Sequence, residues 1–346
     1  MPARNYDHLV KPLSVAATPS PKSAEGDQIQ LPPGAKNFRG PGNADSIVWP
    51  NGRDHLEGLM LNFSWGFYTG VGQWHPGMDP HTHPYPECLV YVGLDPGNID
   101  YLGAEMQYCF GKELEAHYFD KPTVVVAPRG VPHCPAITKK VTNPKGYSFF
   151  IISLGAEPAS TWMGDGITEA DIKMMAEMAA KRGTKVPMKS KVTRKKIRFS
   201  EETVTHGDKY SRFVKPLKSP TNAPGPGNAD QSVWLYGKDL EGMNLNFSWG
   251  YYSKPGAWNP GLGLHSHPAD EVLVFVGLDP ANIDYLGAEL EIDIGEDQEK
   301  HVFDKPSAVI LPAGMPHKSI AVRQVNKPYA VYLISLGAEH ITTRIQ

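Results

Sequence analysis

The segment GMDPHTHPYPECLVYVG (77–93) places two histidines and a glutamate at the start of a short apolar run. His81, His83 and Glu87 are separated by two and then four residues, so they have the same parity. On an extended chain, residues of one parity point to one face. A second segment, VVVAPRGVPHCPAI, ends an apolar run at a Pro-Arg-Gly turn and then presents His133. We therefore expect these four side chains to converge from two neighbouring strands.

The second half of the chain repeats both segments. GLGLHSHPADEVLVFVG contains His265, His267 and Glu271, and VILPAGMPHKSI contains His317. Other stretches recur almost unchanged, among them LNFSWG, IDYLGAE, FDKP and ISLGAE. From LNFSW to the PxGxPH segment every counterpart lies at one constant offset. An internal repeat of this length indicates two copies of one fold.

The apolar runs within each copy are short and rich in β-branched and aromatic residues, and Gly, Pro and Asp separate them. This pattern predicts an all-β protein of two tandem jelly-roll barrels. The predicted domains are an N-terminal arm at 1–39, a first barrel domain at 40–158, a linker at 159–209 and a second barrel domain at 210–346. Within the linker, residues 167–183 show helical spacing and predict a linker helix. We interpret the basic segment that follows as a solvated linker, with contact to a polyanion as the alternative.

Composition excludes several classes of partner. The 34 basic and 37 acidic residues give a formal charge of −3, so we expect neither nucleic acid nor membrane as a partner. The start of the chain lacks the apolar segment of a secretory signal, which favours a cytoplasmic protein. Cys88, Cys109 and Cys134 are odd in number and all lie in the first half, so we expect reduced thiols.

The donor set favours a divalent metal ion. Imidazole and carboxylate groups bind Mn, Fe, Zn, Ni or Co at about 2.0–2.2 Å. Four protein ligands leave one or two positions of a six-coordinate ion open to a substrate oxygen, water or dioxygen. The sequence therefore predicts two metal ions per chain, with manganese, iron or zinc as the expected metals.

The pattern GxxxHxHxxxExxxxxG followed by PxGxxH resembles the two motifs of the cupin superfamily, and its duplication resembles the bicupins. The resemblance covers nearly the whole chain outside the arm and the linker. It implies a jelly-roll barrel whose metal is bound by the four motif side chains in each copy. One departure is visible, because Gly93 and Gly277 come one residue earlier than in the usual motif.

The residues around the two sets of ligands differ. The first copy has Tyr85, Cys88, Arg129 and Cys134 where the second has Ala269, Val272, Ala313 and Lys318. Arg129 is a possible catalytic residue, since an arginine beside a metal can bind a substrate carboxylate through two hydrogen bonds. The alternative for Arg129 is a solvent-exposed turn. Alternation along the strand points Cys88 away from the metal.

Other residues also occur in matched pairs. His117 and His301 either support the metal ligands or relay protons, or they are surface residues of a strand before a turn, and we favour the surface position. The matched aromatic residues predict core packing, with a wall of a substrate pocket as the alternative: Phe63 and Phe247, Trp74 and Trp258, and Tyr101 and Tyr285.

The first functional hypothesis is a metal-dependent enzyme acting on a small oxygen-rich organic acid, a diketone or a phenol-derived ring. The resemblance implies decarboxylase or dioxygenase chemistry. The alternatives are a redox-neutral hydrolase or isomerase of a cyclic diketone, or a bicupin that binds metal or ligand without catalysis. A storage or scaffold protein is disfavoured because all eight ligand positions are filled. We also expect a homo-oligomer formed through exposed strand edges.

Overall fold

The computed structural model describes residues 5–13, 22–23, 44–74, 80–162, 203–218 and 227–345. The predicted helix at 167–183, the basic segment after it and most of the predicted N-terminal arm lie outside these residues. No helix in the described residues is long and apolar enough to cross a membrane.

Nearly all regular secondary structure in the described residues of both halves is β-strand. The strands of the first half are β1 (Val10–Pro12), β2 (Lys22–Ser23), β3 (Ser46–Val48), β4 (Asn62–Tyr68), β5 (Gly72–Gln73), β6 (His81–Thr82), β7 (Glu87–Val92), β8 (Ala104–Phe110), β9 (Glu115–Phe119), β10 (Thr123–Ala127), β11 (His133–Val141), β12 (Tyr147–Ser153) and β13 (Ala159–Trp162). Those of the second half are β14 (Val214–Pro216), β15 (Gln231–Leu235), β16 (Asn246–Tyr252), β17 (Gly256–Ala257), β18 (His265–Ser266), β19 (Glu271–Gly277), β20 (Ala288–Ile294), β21 (Glu299–Phe303), β22 (Ser307–Leu311), β23 (Ala321–Val325), β24 (Tyr329–Ser335) and β25 (Thr343–Arg344).

Helical structure is short. The described residues contain one α-helix, α1 (Gly52–His55), and 3₁₀ turns at Asp7–Leu9, Ser211–Phe213 and Gly237–Asp239. The Asn51 side chain caps α1 by accepting a hydrogen bond from the Asp54 N–H.

Each half folds into two facing sheets. In the first half one sheet has the strand order β14-β10-β7-β12-β4-β3, and the other has the order β2-β13-β6-β11-β8-β9 with β5 on β11. In the second half the larger sheet has the order β1-β22-β19-β24-β16-β15. Facing it are the sheet β17-β23-β20-β21 and the pair β18-β25. The all-β class and the two tandem barrels predicted from sequence are confirmed.

The two halves exchange their first strands. β1 of the first half pairs antiparallel with β22 of the second barrel, and β14 of the second half pairs with β10 of the first barrel. The exchange is reciprocal and uses the repeated VKP segment each time. Leu13 N–H donates to the Pro306 carbonyl, and its counterpart Leu217 N–H donates to Pro122, both at 2.8 Å.

The sheet of the first half that contains β7 is buried on both faces. Leu89 and Tyr91 of β7 face the interior of the first barrel, whereas Cys88, Val90 and Val92 join a core shared with the second half. This explains why CLVYV is a continuous apolar run instead of an alternating one, since neither face meets water.

The domain boundaries stay predictions, with one change at the end of the first barrel. The domain was predicted to end at residue 158, yet β13 (159–162) lies in the predicted linker and pairs with β6 and with β2 of the first half. This strand extends the ligand-bearing sheet beside β6.

Candidate metal centres

The first candidate centre forms where three strands begin. His81 opens β6, Glu87 opens β7 and His133 opens β11, while His83 follows β6 directly. His81 and His133 are paired residues of adjacent strands. The centroids of the three imidazole rings lie 4.4 to 5.0 Å apart. The structure thus brings together the four side chains predicted from sequence.

The first centre is buried and its donor atoms face one another. His81 and Glu87 are each 5% exposed and His133 is 1% exposed. Glu87 Oε2 lies 3.4 Å from His83 Nε2 and 3.6 Å from His133 Nε2. Both Nε2 atoms are buried without a hydrogen-bond partner among the described residues. Unpaired polar atoms are costly to bury, and a cation between them would satisfy all of them.

Backbone carbonyls fix which nitrogen of the His83 and His133 imidazoles faces the centre. His83 Nδ1 lies 2.6 Å from the Ala159 carbonyl and His133 Nδ1 lies 2.9 Å from the Val131 carbonyl. A carbonyl only accepts, so Nδ1 carries the hydrogen and Nε2 has a free lone pair. This outer arrangement is typical of metal-binding histidines.

A hydrogen bond also fixes the orientation of the Glu87 carboxylate. The Ser153 hydroxyl donates to Glu87 Oε1 at 2.6 Å, which leaves Oε2 for the centre. Burial opposes ionisation of Glu87, but the neighbouring imidazoles of His83 and His133 outweigh it and lower the pKa of the carboxyl. Burial likewise opposes protonation of His83, and Glu87 outweighs it and raises the pKa of that imidazole.

The second candidate centre repeats this construction. Its imidazole centroids lie 4.2 to 5.2 Å apart, and Glu271 Oε2 lies 3.6 Å from His267 Nε2. Here Nδ1 of all three histidines lies 2.8 to 3.0 Å from a backbone carbonyl, in the pairs His265 with Gly263, His267 with Ile341 and His317 with Met315.

The electrostatics of the second centre differ from those of the first. Burial lowers the pKa of His265 and His267, and it lowers the pKa of His317 to about 4. The three imidazoles are therefore neutral at ordinary pH, which is the form that binds a metal. Each half thus offers a buried group of three histidines able to hold an ion, with a glutamate beside it.

No family model matches the chain. No curated protein matches it. Among solved structures, a single-site variant of oxalate decarboxylase from Bacillus subtilis is similar, with a TM-score of 0.54 and 12% identity over 88% of this chain and 76% of that chain. The structure of the same enzyme at pH 4.6 has a TM-score of 0.53 and 12% identity over 88% of this chain and 75% of that chain. A structure from work on the Mn(II) centres of that enzyme has a TM-score of 0.53 and 11% identity over 88% of this chain and 76% of that chain.

The fold is a bicupin fold. At this level of identity the likeness establishes the architecture and leaves the chemistry to the residues of the two centres.

The two centres of this protein differ in the residues around their ligands. Tyr85 stacks on His83 with a centroid distance of 5.5 Å, and its hydroxyl donates to the Glu157 carbonyl. Arg129 is exposed on the turn before β11, so its side chain is open to solvent. Cys88 points away from the ligands, as predicted, and its Sγ lies 3.7 Å from Met243 Sδ of the second half.

His117 and His301 are not surface residues, which corrects the sequence prediction. They are 9% and 3% exposed. His117 Nε2 lies 3.0 Å from Glu115, and His301 Nε2 lies 3.1 Å from Glu299.

These two glutamates bind the exchanged arms, which are the segments that lead into β1 and β14. Glu115 accepts the Tyr210 N–H and Glu299 accepts the Tyr6 N–H, each across the two halves. His117 and His301 therefore lie beside the anchors of the strand exchange. This position could not be predicted from the sequence, because the arms bound by Glu115 and Glu299 come from the other half.

The matched aromatic residues divide into two groups. Phe63, Phe247, Trp74 and Trp258 are at most 5% exposed and belong to the cores, as predicted. Tyr101 and Tyr285 are half-buried. The Tyr101 hydroxyl lies 3.2 Å from Thr142 Oγ1.

Sequence analysis also missed one residue at the second centre. His340 Nε2 lies 3.1 Å from Glu271 Oε1, and the His340 and His267 ring centroids are 4.6 Å apart. The only signal in the sequence is its position directly after the repeated LGAE, where the first half has Pro158.

Proposed function

We propose that the protein is a metal-dependent enzyme that binds one divalent ion at each centre and acts on a small oxygen-rich organic acid, diketone or phenol-derived ring. The proposed ligands are His81, His83, Glu87 and His133 in the first half, and His265, His267, Glu271 and His317 in the second. Manganese, iron and zinc are the expected metals. The reaction proposed is a decarboxylation or an oxidative cleavage.

One observation carries this proposal above the others. In the first centre the buried Nε2 atoms of His83 and His133 lie close to Glu87 Oε2 and have no hydrogen-bond partner among the described residues. Three imidazoles and one carboxylate form a donor set suited to first-row divalent ions. Similarity in fold to a decarboxylase with Mn(II) centres supports manganese and a small carboxylic acid as first choices to test.

A bound ion would supply an open position that polarises a substrate oxygen. The chain itself fixes three of the four donors, because His83 and His133 are hydrogen-bonded through Nδ1 and Glu87 through the Ser153 hydroxyl. Burial of the ligands excludes bulk water from their side of the centre and strengthens every charge interaction there.

The test removes one ligand from each centre. The double variant His83→Ala/His267→Ala should lose both metal binding and turnover while keeping its fold, because the barrels have cores of their own. The control is His206→Ala, which removes an exposed histidine. Elemental analysis of protein purified without added metal should give two ions per chain for wild type and control, and close to none for the double variant.

Oxygen uptake with a panel of diketones and hydroxy acids then separates the reaction classes. Iron or manganese with oxygen uptake supports oxidative cleavage, and metal with carbon dioxide release from a small acid supports decarboxylation. Retention of both metal and activity by the double variant would show that the ligand assignment is wrong.

A further inference from the structure

The second centre carries an imidazole that the first centre lacks. His340 follows β24 and is the first residue after the repeated LGAE, at the place where the first half has Pro158. Its side chain is 21% exposed and packs against Trp234, with ring centroids 4.8 Å apart. It is thus held at the centre by an aromatic neighbour.

The rings of His340 and His267 have a spacing and an interplanar angle similar to those of the proposed ligands. The two ring centroids are 4.6 Å apart at an interplanar angle of 37°. His267 and His317 are 5.2 Å apart at 38°. His340, His267 and Glu271 together form a group whose donor atoms all lie within 4.8 Å of one another.

Two donor atoms of this group have no hydrogen bond. Glu271 Oε1 and His340 Nε2 are buried atoms without a hydrogen-bond partner among the described residues, although they lie 3.1 Å apart. In the first centre the corresponding oxygen, Glu87 Oε1, accepts the Ser153 hydroxyl. A cation contacting both atoms would satisfy them, whereas an empty site leaves both without a hydrogen bond.

The neighbouring residues have changed together with His340. In the first centre Tyr85 stacks on His83 at an interplanar angle of 5°, and in the second centre that position is Ala269. The ring beside the second histidine ligand thus comes from Tyr85 in one half and from His340 in the other. A phenol ring is replaced by an imidazole, which is a strong metal donor.

We propose that His340 is an additional protein donor to the metal ion of the second centre. This inference rests on the proposed function, which assigns an ion to each centre. With His340 bound, the second centre has one more protein ligand and one fewer open position than the first. The second centre then retains its ion more firmly, and the first centre keeps the positions that a substrate needs.

The experiment measures loss of Mn²⁺ to excess chelator from the fully loaded protein, followed by elemental analysis over time. Wild type should lose one ion quickly and one slowly. His83→Ala, which dismantles the first centre, should keep only the slow phase and so assign it to the second centre. His340→Ala should speed the slow phase by at least about 10-fold, because loss of a residue that only supports a ligand already lowers metal affinity by about 10- to 100-fold.

A reciprocal variant provides an independent test in case His340→Ala does not fold. Tyr85→Ala/Pro158→His builds the residues of the second centre into the first, and it should slow the fast phase. Pulsed EPR of Mn²⁺-loaded His83→Ala should show coupling to the imidazoles of His265, His267, His317 and His340, and the signal of the last should vanish in His83→Ala/His340→Ala.

The outcomes separate the two proposals. If wild type binds no Mn²⁺, the proposed function and this inference both fail. If wild type binds two ions while His340→Ala releases them at wild-type rates and with an unchanged EPR signal, only the role of His340 is refuted.

Discussion

Gly93 directly follows β7 and lies against the turn that returns towards the next strand. A Cβ atom at this position would stand 1.9 Å from the Tyr101 carbonyl oxygen. The repeat shows the same contact, since a Cβ at Gly277 would stand 2.0 Å from the Tyr285 carbonyl oxygen. Here the early glycine of the motif is required by close backbone approach.

Gly93→Ala should therefore lower the free energy of unfolding by roughly 1–3 kcal/mol, since neither backbone segment can move without disturbing β7. Gly70→Ala is the control, because a Cβ there meets nothing within 4 Å. It should change stability by less than about 0.5 kcal/mol. Urea unfolding of both variants checks this, and equal stabilities would contradict the steric explanation.

At the scale of elements, each exchanged first strand, β1 or β14, lies at the edge of a sheet of the other half. Leu9 is 2% exposed and enters the core of the second half just before β1. Phe213 occupies the matching position before β14, is 4% exposed and packs in the core of the first barrel. Each barrel thus depends on apolar contacts made by the other half.

Leu9→Ala should destabilise the protein by about 2–5 kcal/mol through the cavity it leaves. Hydrogen exchange should show the loss first in β22, the partner of β1, although β22 belongs to the other half. Val71→Ala, at a side chain that is 63% exposed, is the control. If hydrogen exchange became faster only in the first barrel, the pairing of β1 with the second barrel would be contradicted.

At the scale of the whole molecule, equivalent residues of the two halves contact each other. Phe150 and Tyr332 are equivalent residues of the two copies, and they stack on each other with centroids 3.6 Å apart at 14°. The Tyr251 hydroxyl adds a hydrogen bond of 2.8 Å to the Gly93 carbonyl across the same contact. Contact between equivalent residues is the signature of a symmetric interface.

A double-mutant cycle on Phe150→Leu and Tyr332→Leu should give a coupling energy of about 0.5–1.5 kcal/mol, as for other buried aromatic pairs. Because the core is shared, calorimetry should also show both halves unfolding in a single transition in wild type. Two separate transitions, or additive effects of the substitutions, would mean that the halves are energetically independent.

The sequence predicts the parts of the fold and site that depend on local pattern. Parity places His81, His83 and Glu87 on one face, and the repeat predicts two barrels. The structure agrees because these features follow from strand geometry alone.

The remaining features depend on contacts distant in sequence. Val90 and Leu89 are both buried because two sheets sandwich β7, and nothing in the run CLVYV shows which sheet covers which face. Val10 pairs with Val309, a partner that no local signal specifies. His340 escaped notice because it breaks the repeat that revealed the other ligands. The homo-oligomer stays a prediction.

The reciprocal exchange of arms also determines what a single cut in the chain can do. A cleavage between β13 and β14 would leave one fragment carrying β1 and the other carrying β14. Each fragment would still be hooked into its neighbour by a strand in that neighbour's sheet. The continuity of the backbone between the halves is thus dispensable for holding them together, and the molecule is built as two interlocked pieces that share one chain.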